Sequence, residues 1–498
     1  MAAKKTPKKE KPGDLEAQLV VVGGGGAGMA AAVAAAEKGV KPIILLEKRA
    51  ATGGNTAMSW GLFATGSPAQ KRAAIEDQRD ELFKTAMTWA HWKSNPRIVR
   101  AFIDKSGDTI RWLEEKGLHF DCVAFYPGQS PLVWHMTEGR GAKMTGVLAG
   151  ECKELGVQVF KRTAAKQLLT GRNGAVTGVR VESEGHKFKI KTKSAIIATG
   201  GYGGNKALLK KYSPEYKDNM KCDGLPHKGD GLIMAIEVGA ATEGLGLMLM
   251  SGPQIPGKVA MKIGKFPETI RVPLMAIALE PTTLWVNSRG QRFADEGTTY
   301  HHFMSSNAIN RQPGNICYVI LDQKLVDTMT KHGITIGMSL SRLRTGMPGL
   351  EKELRTKAEE GWVKISDKVS DLAGWIGSNP KVLQSTLDEY NACCDQGYDP
   401  LFAKNRRHLL PLRIPPYYAI RANSDLLDTI GGVRVNEHME VLDEKDRPIP
   451  GLYAAGVVAG GWEADTYCDI LSGAASSFAV NSGRIAAERA AELHSIGR

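Results

Sequence analysis

The sequence lacks the cysteine spacings that bind haem or metal ions. Its seven cysteines are scattered, with Cys393 and Cys394 adjacent, and no CxxC or ferredoxin-type spacing occurs. This arrangement excludes a sequence-evident c-type haem, iron–sulfur cluster or zinc site, so no metal ligand is predicted. A scattered, odd-numbered set of thiols is typical of a reducing compartment, and we therefore expect a cytoplasmic protein.

Long apolar runs and a basic nucleic-acid stripe are missing as well. No stretch of 18 uncharged apolar residues occurs, which predicts no membrane span. The net charge is +12, and residues 1–12 carry five lysines against one glutamate. We expect residues 1–15 to be a disordered basic tail, and it lacks the apolar segment of a secretory signal. The remaining basic excess is spread along the chain, so nucleic acid is not an expected partner.

Glycine, by contrast, is abundant and clustered, at 56 of 498 residues. The β-branched run 18–22 predicts a strand, and a GGGGAG turn, an alanine-rich helix and a second apolar run ending at Glu47 follow it. In this pattern Gly23 permits the tight turn, Gly25 lets a pyrophosphate approach, and Gly28 lets the helix pack on the strand. Glu47 stands where a carboxylate accepts the hydroxyls of an adenosine ribose. The pattern predicts a Rossmann-type dinucleotide site.

A second glycine-rich loop follows the second predicted strand and distinguishes between cofactors. It contains Gly53, Gly54, Asn55 and Thr56, with Gly61 a few residues later. A nicotinamide dinucleotide has no need of such a loop. A flavin does, because its ribityl chain and ring system extend beyond the pyrophosphate. The loop therefore favours FAD.

The character of the chain changes between residues 251 and 424. Prolines and charged helical stretches alternate there, and the periodicity is less regular than elsewhere. We interpret 16–250 and 425–498 as two parts of one FAD-binding domain, and 251–424 as an inserted domain. The expected fold class is α/β, a Rossmann-type FAD-binding domain interrupted by a smaller α+β capping (substrate) domain.

Six motifs resemble the flavoprotein family of fumarate reductases, succinate dehydrogenases and 3-ketosteroid dehydrogenases. They are GGGGAGMAAAVAAAEKG, LLEKRAATGGNTAMSWG, IIATGGYGGN, KGDGLIMAIEVGA, LWVNSRGQRFADEGTTY and TIGGVRVNEHMEVLDEKDRPIPGLYAAGVVAGG. The motifs extend over nearly the whole chain. The resemblance implies a FAD domain split by a capping domain, with the active site at their junction.

The resemblance also implies a set of FAD contacts, position by position. They are Gly23, Gly25, Gly28, Glu47, Asn55, Thr56, Gly61, Ala164, Asp230, Gly473, Ala474 and Ser476. Fumarate reductases usually carry Glu after the AAG motif; Val457 stands there, so no contact is assigned to it. The histidine that holds FAD covalently in succinate dehydrogenases is missing around 55–59. We therefore expect noncovalent FAD, with His135 a distant alternative for attachment.

The groups with which fumarate reductases bind dicarboxylates are absent. In that family the proton donor is an Arg in a TTRD motif, and Tyr300 occupies its place here. The expected carboxylate-binding residues near 252–254, Thr466 and Ile470 do not occur either. Two buried carboxylates would lack compensating partners, at a cost of several kcal/mol. A dicarboxylate substrate is not expected.

A tyrosine at this position is similar to the 3-ketosteroid dehydrogenases. The resemblance implies that Tyr300 removes a proton as its phenolate, and that Tyr467 and the Gly473 N–H polarise the substrate carbonyl. Two extra residues precede that glycine compared with the family motif. A third tyrosine of those enzymes corresponds to Tyr126, in a poorly matched stretch. His301 and His302 are candidate proton relays or ordinary surface histidines.

These observations predict an FAD-dependent oxidoreductase acting on CH–CH groups. The preferred hypothesis is a dehydrogenase that desaturates the α,β C–C bond of an apolar or cyclic ketone, with hydride passing to flavin N5. The alternative is a flavin ene-reductase that acts on an enone or enoate in the reverse direction. The expected partners are a small ketone or enone and an external electron acceptor or donor. A third hypothesis, based on the lysine tail, is a flavin-binding or nucleic-acid-associated protein without turnover.

Overall fold

A computed structural model describes residues 13–125, 128–255, 273–334 and 346–496. Its helices are α1 (Gly26–Glu37), α2 (Pro68–Arg72), α3 (Arg79–Trp89), α4 (Pro96–Glu114), α5 (Arg140–Glu154), α6 (Lys206–Tyr212), α7 (Asp230–Glu237), α8 (Pro273–Ala278), α9 (His302–Asn310), α10 (Gln323–His332), α11 (Leu350–Glu359), α12 (Val369–Ile376), α13 (Pro380–Gln396) and α14 (Ala474–Ile496). Its strands are β1 (Leu15–Glu16), β2 (Leu19–Val22), β3 (Ile43–Glu47), β4 (Leu62–Phe63), β5 (Asp121–Val123), β6 (Trp134–Met136), β7 (Gln158–Lys161), β8 (Thr163–Thr170), β9 (Val176–Ser183), β10 (His186–Lys191), β11 (Ser194–Ile197), β12 (Thr242–Glu243), β13 (Met248–Gln254), β14 (Leu284–Val286), β15 (Ile316–Asp322), β16 (Val363–Ser366), β17 (Tyr417–Thr429), β18 (Gly432–Val433), β19 (Glu440–Leu442) and β20 (Pro448–Ala454).

A six-stranded sheet, in the order β19-β20-β11-β2-β3-β7, carries the predicted nucleotide-binding unit. Strands β20, β11, β2, β3 and β7 run parallel, and β19 is an antiparallel edge. Every residue of β2 and β3 is buried, as expected for strands covered on both faces. The succession β2, α1, β3 confirms the predicted Rossmann-type β–turn–α–β unit.

Helices α1 and α14 pack against each other beside this sheet. Their contact faces are rich in alanine, serine and glycine, which lets the two backbones approach closely. A Cβ added to Gly483 of α14 would clash with the carbonyl oxygen of Ala27, at the start of α1. Glycine at this position therefore lets the two helices pack closely.

Buried apolar side chains form two separate clusters. The first core gathers side chains from 17–250 and 426–490, and the second core gathers side chains from 255–422. In the sheet of the second core the strand order is β13-β17-β15-β14, with β16 also paired to β17. Strands β13 and β17 pair antiparallel and run from one core to the other. No helix within the described residues is long and apolar enough to cross a membrane.

One local expectation differs from the structure. Residues 13–15 of the predicted tail are placed in the fold, because Leu15–Glu16 form β1 beside β10 and Asp14 accepts a hydrogen bond from the Lys189 N–H; residues 1–12 lie outside the described residues. The chain turns between β10 and β11 at Thr192, whose Oγ1 bonds to the carbonyls of Gln18 and Ser194.

Candidate active site

A crevice opens at the N-terminus of α1, where β2 and β3 end. Gly25 is the N-cap residue of α1, so no capping side chain covers this helix end, and the first turn contains no acidic residue. A Cβ on Gly25 would meet only the Gly54 Cα, at 3.8 Å, so the backbone there is open to an approaching group. A Cβ on Gly28 would strike the Gly23 carbonyl, and Gly23 has a φ of +112°. The glycines therefore supply the anion-accepting helix end and the close helix–strand contact that a pyrophosphate site needs.

Glu47 lies at the end of β3 and is 8% exposed. Its Oε2 accepts a hydrogen bond from the Gly24 N–H at 2.9 Å, and its Oε1 accepts one from the Arg49 N–H at 2.7 Å. Each carboxylate oxygen has two lone pairs, so each keeps one for a ligand hydroxyl. The carboxylate is thus held at the crevice in the place expected for ribose binding.

The second glycine-rich loop borders the same crevice. Thr56 is buried and lies against Gly26. A Cβ on Gly26 would lie 2.5 Å from the Thr56 Oγ1, so the threonine side chain already fills that space. Asn55 accepts a hydrogen bond from the Leu225 N–H at 2.7 Å, which fixes the orientation of its amide. A Cβ on Gly61 would lie 2.7 Å from the carbonyl oxygen of His135, so only glycine fits there.

The start of α14 closes on this loop from the C-terminal part of the chain. Gly473 has a φ of +86°, and a Cβ on it would lie 2.8 Å from the Gly61 carbonyl oxygen. Ala474 is buried and Ser476 is partly exposed. The structure therefore brings together two groups of predicted cofactor residues that are more than 400 positions apart in sequence.

Two other predicted cofactor residues lie on the periphery. Asp230 begins α7, and its Oδ2 lies 2.5 Å from the Lys48 Nζ, one residue after Glu47; both side chains are about two-fifths exposed. Ala164 lies on β8, opposite Glu182 of β9. His135 is fully buried, its Nε2 lies 2.6 Å from the Ser67 Oγ, and burial lowers its pKa to about 4.

These residues fit FAD. The glycine cradle at α1, the buried carboxylate at β3 and the glycine contact between Gly61 and α14 line one crevice. FAD would lie with its pyrophosphate at α1 and its ribose at Glu47. The chemistry it supplies when bound is hydride exchange with a carbon–carbon bond.

Tyr300 is the last residue of a 3₁₀ turn, Glu296–Tyr300. A buried network of ion pairs stabilises the start of this turn. Arg292 bonds to Glu296 at 2.9 Å and to Asp399 at 2.7 Å, and Lys404 lies 3.1 Å from Glu296. Burial opposes ionisation of Glu296, yet the charges of Lys404 and Arg292 hold its pKa below the usual value. The RF-x-x-E part of the motif thus anchors the turn that carries the tyrosine.

Two residues from a distant loop surround the Tyr300 hydroxyl. Its oxygen lies 3.2 Å from the His408 Nε2 and 3.5 Å from the Arg407 Nη2. The Arg407 Nε donates to the same His408 Nε2 at 3.0 Å, so that nitrogen is unprotonated and its single lone pair is shared between this donor and the Tyr300 O–H. Burial, together with the charges of Arg407 and Lys404, lowers the pKa of His408 to about 4, which keeps the ring neutral.

Burial raises the pKa of Tyr300 itself, although the neighbouring guanidinium of Arg407 opposes the rise. The hydroxyl is therefore a protonated phenol at neutral pH. Arg407 is exposed at the surface and His408 is buried, so the phenol is connected to solvent on the Arg407 side. This geometry suits a group that gives up a proton and leaves a phenolate next to a fixed cation.

Tyr467 is buried in the first core. Its hydroxyl accepts a hydrogen bond from the Ala475 N–H at 2.9 Å, and its ring packs edge-on against Phe303 at 4.6 Å between centroids. Burial raises its pKa. The tyrosine ties the start of α14 to α9, and its O–H is still able to donate to a carbonyl.

His301 turns away from Tyr300 and bonds to a buried carboxylate. Its Nδ1 lies 3.2 Å from the Asp469 Oδ1, and this bond raises the pKa of His301 against the effect of burial. Asn307 donates to the Thr466 Oγ1 at 2.8 Å on the next turn of α9. These contacts join α9 to the 466–469 loop. The side chain of His302, and Tyr126, lie outside the described residues.

Uncharged groups occupy the three places where dicarboxylate-binding residues are expected. The Gly252 carbonyl accepts hydrogen bonds from two α9 serine hydroxyls, and Thr466 bonds to Asn307. Ile470 lines a cleft of about 560 Å³ together with Trp89 and Met304. Lys84 and His91 also line this cleft, so neutral residues at the expected positions stand in a cleft of mixed character.

Sequence reasoning missed Arg407 and His408, the two partners of the Tyr300 hydroxyl. They lie more than 100 residues after Tyr300 in a stretch without a recognisable motif. The available signal was the basic run Arg406-Arg407-His408, which follows Lys404 and Asn405 and precedes the apolar residues 409–412. All seven cysteines are free thiols, and no metal-binding cluster occurs among the described residues.

Fold and site together define a flavoprotein oxidoreductase that acts on CH–CH or C=C bonds. The chain belongs to the fumarate reductase/succinate dehydrogenase type of flavoprotein, since the FAD binding domain family matches its residues 18–467. The predictions of family, cofactor and enzyme class are confirmed.

Known proteins resemble the chain over nearly its full length. Vinyl phenol reductase of Lactiplantibacillus plantarum is 31% identical over 463 residues, which cover 90% of this chain and 91% of that protein. The open conformation of a flavocytochrome c3 fumarate reductase has a TM-score of 0.72 and 27% identity, over 96% of this chain and 79% of that one. The 3-ketosteroid-Δ4-(5α)-dehydrogenase of Rhodococcus jostii shares the fold, with a TM-score of 0.74 and 22% identity over 97% of this chain and 98% of that one.

Proposed function

We propose that the chain reduces a carbon–carbon double bond conjugated to an uncharged activating group. A hydride and a proton add across the double bond, and Tyr300 supplies the proton to the carbon next to the activating group. The position of the Tyr300 hydroxyl, between the His408 Nε2 and the Arg407 Nη2, carries this proposal. FAD, when bound, supplies the hydride exchange, and an external electron donor keeps it reduced.

The protonation state of the phenol is compatible with the reductive direction. Burial raises the pKa of Tyr300, so the phenol holds at neutral pH the proton that reduction consumes. Dehydrogenation would use the same group as its phenolate. The similarity to a vinyl phenol reductase supports both the direction and an uncharged substrate.

The proposed substrate class rests on the neutral residues at the expected carboxylate-binding positions. Thr466 and Ile470 occupy two of these positions, and Trp89 and Met304 add apolar surface to the same cleft. Lys84 and His91 also line the cleft, but they do not stand at those positions. We infer an uncharged alkene such as a vinyl phenol or a cyclic enone, and we expect fumarate to be a poor substrate.

Ketone dehydrogenation is the second candidate, and one contact favours it. The Arg407 guanidinium lies within 3.5 Å of the Tyr300 oxygen and stabilises a phenolate, which is the base that desaturation needs. The same residues then work in the opposite direction.

Anaerobic rapid mixing of the holoprotein separates the candidates. The reduced protein is mixed with 4-vinylphenol, cyclohex-2-enone or fumarate, and the oxidised protein with cyclohexanone, while flavin absorbance is followed. The proposal expects fast reoxidation by one of the two uncharged alkenes and slow reoxidation by fumarate. Faster bleaching by the ketone would establish the dehydrogenase, and efficient use of fumarate would overturn both.

A further inference from the structure

Asp428 is a buried carboxylate at which several chain segments meet. It lies near the end of β17, and its side chain is 4% exposed. Its Oδ2 accepts hydrogen bonds from the Asn55 Nδ2 at 3.1 Å, the His227 Nδ1 at 2.6 Å and the Gly201 N–H at 3.4 Å. Its Oδ1 accepts from the N–H groups of Gly203, at 3.3 Å, and Thr429, at 2.9 Å. Five donors thus converge on one carboxylate.

The donors come from three loops that are separate in sequence and border the cofactor crevice. Asn55 belongs to the second glycine-rich loop, Gly201 and Gly203 follow β11, and His227 precedes α7. Asp428 is an acceptor that all three loops share, although the loops are also linked by the Leu225 N–H to the Asn55 Oδ1 and by the Gly204 N–H to the His227 carbonyl. A carboxylate on a strand that links the two cores therefore adds to the contacts that hold these loops together.

The packing around this carboxylate requires glycine. A Cβ on Gly201 would lie 2.6 Å from the Asp428 Oδ1, and a Cβ on Gly200 would lie 2.5 Å from the His227 Nδ1. A Cβ on Gly224 would lie 2.9 Å from the Asn55 Nδ2. The Asp428–His227 cluster lies so close to the ATGG turn that it explains the glycines there. A close approach of the cofactor would be a separate reason for them.

The contacts fix which way Asn55 points. Its Oδ1 accepts from the Leu225 N–H at 2.7 Å, and one N–H of its amide is donated to Asp428. These two hydrogen bonds fix the orientation of the Asn55 amide. They therefore also fix the direction in which its second N–H points. His227 donates through Nδ1 because a carboxylate only accepts, so the pair adds a charge-assisted bond to the cluster.

We propose that Asp428 and His227 are a positioning pair for FAD. They hold Asn55 and the turn after β11 in the geometry that the flavin end of the cofactor requires, and they act through Asn55 rather than by proton transfer. The inference depends on FAD binding, and it does not depend on the substrate or on the direction of the reaction.

The test is FAD binding by the apoprotein, followed by flavin fluorescence, with the visible circular dichroism of bound flavin as a second readout. Asp428→Asn places an NH₂ group among the donors and His227→Leu removes one donor. Loss of hydrogen bonds to a charged group predicts about a tenfold or greater loss of FAD affinity for each, with an altered flavin dichroism. His227→Asn keeps a donor near the Nδ1 position and is expected to restore most of the affinity.

Asp121→Asn is the matched control, because the His119–Asp121 pair is exposed, with 71% and 78% of the side chains accessible. It should bind FAD like the unmodified protein. A double-mutant cycle between Asp428→Asn and Asn55→Ala tests action through Asn55, and the losses should be non-additive. Far-UV circular dichroism of each apoprotein verifies folding, and His227→Leu decides the matter if Asp428→Asn does not fold.

Two results would overturn the proposal. One is FAD affinity and flavin dichroism of folded His227→Leu that match those of the unmodified protein. The other is strictly additive losses in the cycle, which would show that Asp428 supports the fold without acting through Asn55. Substrate assays play no part in either result, so failure of the proposed reductase function is recognised separately.

Discussion

Replacement of Tyr300 by phenylalanine removes the proposed proton donor and little else. The His408 Nε2 keeps its hydrogen bond from the Arg407 Nε at 3.0 Å, and the exposed Arg407 is able to bind water in place of the phenol. The buried His408 ring therefore keeps a hydrogen bond after the change. We expect a loss of stability of about 1 kcal/mol or less, the usual net value of one hydrogen bond.

The kinetic effect of Tyr300→Phe should be far larger. A positioned proton donor typically contributes a factor of about 10²–10⁴ to the rate, which corresponds to roughly 3–5 kcal/mol of barrier. The hydroxyl of Tyr300 has two polar partners and belongs to a turn anchored by the Arg292–Glu296 ion pair, so its position is well defined. FAD affinity should be unchanged.

Single-turnover reoxidation of the anaerobically reduced protein by an uncharged alkene measures this effect. Tyr398→Phe is the matched control, because Tyr398 belongs to the same part of the chain and is 64% exposed. The control should react at the rate of the unmodified protein. A rate for Tyr300→Phe within about threefold of the unmodified protein would refute Tyr300 as the proton donor.

Three further changes have defined outcomes. Arg407→Met should slow the same single turnover about tenfold, because it removes the cation next to the Tyr300 oxygen; an unchanged rate would exclude phenolate stabilisation by Arg407. Gly473→Ala should lower stability in urea unfolding by about 1–3 kcal/mol, since its φ is +86° and the Cβ would press on the Gly61 carbonyl. Burial raises the pKa of Glu463 to about 8 in the folded protein, whereas the unfolded chain releases this proton near pH 4. The stability of the folded protein therefore falls as the pH rises from about 4 to about 8. Glu463→Gln should therefore gain melting temperature relative to the unmodified protein from pH 5 to pH 8, and an equal difference at both ends would contradict the assignment.

The nucleotide-binding part of the fold is visible in the sequence because its strands are covered on both faces. The runs LVVV of β2 and IILLE of β3 are apolar throughout, and glycines mark the turn between β2 and α1. Local pattern and tertiary environment agree there, so the β–turn–α–β unit is predictable. The same agreement explains why Glu47, the polar residue that ends β3, stands out as a ligand for a cofactor.

The strand β17 was not predictable for the opposite reason. Its thirteen residues, YYAIRANSDLLDT, include Arg421, Asn423, Asp425 and Asp428, a composition that does not favour a strand. Most of these side chains are nevertheless buried, and those of Asn423, Asp425 and Asp428 are hydrogen-bonded. The polar residues serve contacts between distant loops, and only the three-dimensional structure reveals those contacts.

The candidate site divides in the same way. Tyr300 follows a recognisable motif, because Arg292 and Glu296 must stand four residues apart to pair beneath the turn. Its partners Arg407 and His408 come from a loop whose position depends on the buried Lys404, which bonds to the Thr283 carbonyl at 2.8 Å. No periodicity or spacing links these segments. Motifs thus point to Tyr300, the proposed reacting group, whereas the positions of its neighbours Arg407 and His408 depend on long-range packing.

The location of the positive charge bears on the proposed neutral substrate. In the fumarate reductases that the sequence resembles, cations bind the substrate carboxylates and an arginine gives the proton. Here the neutral residues Thr466 and Ile470 stand at expected carboxylate-binding positions, although Lys84 and His91 line the same cleft, and the guanidinium of Arg407 lies beside the Tyr300 oxygen. In the proposed reaction the protein itself stabilises the phenolate, so no charge on the substrate is required. A substrate carboxylate that reached Arg407 would compete with the phenolate, and the proposal therefore expects dicarboxylates to react more slowly than uncharged alkenes.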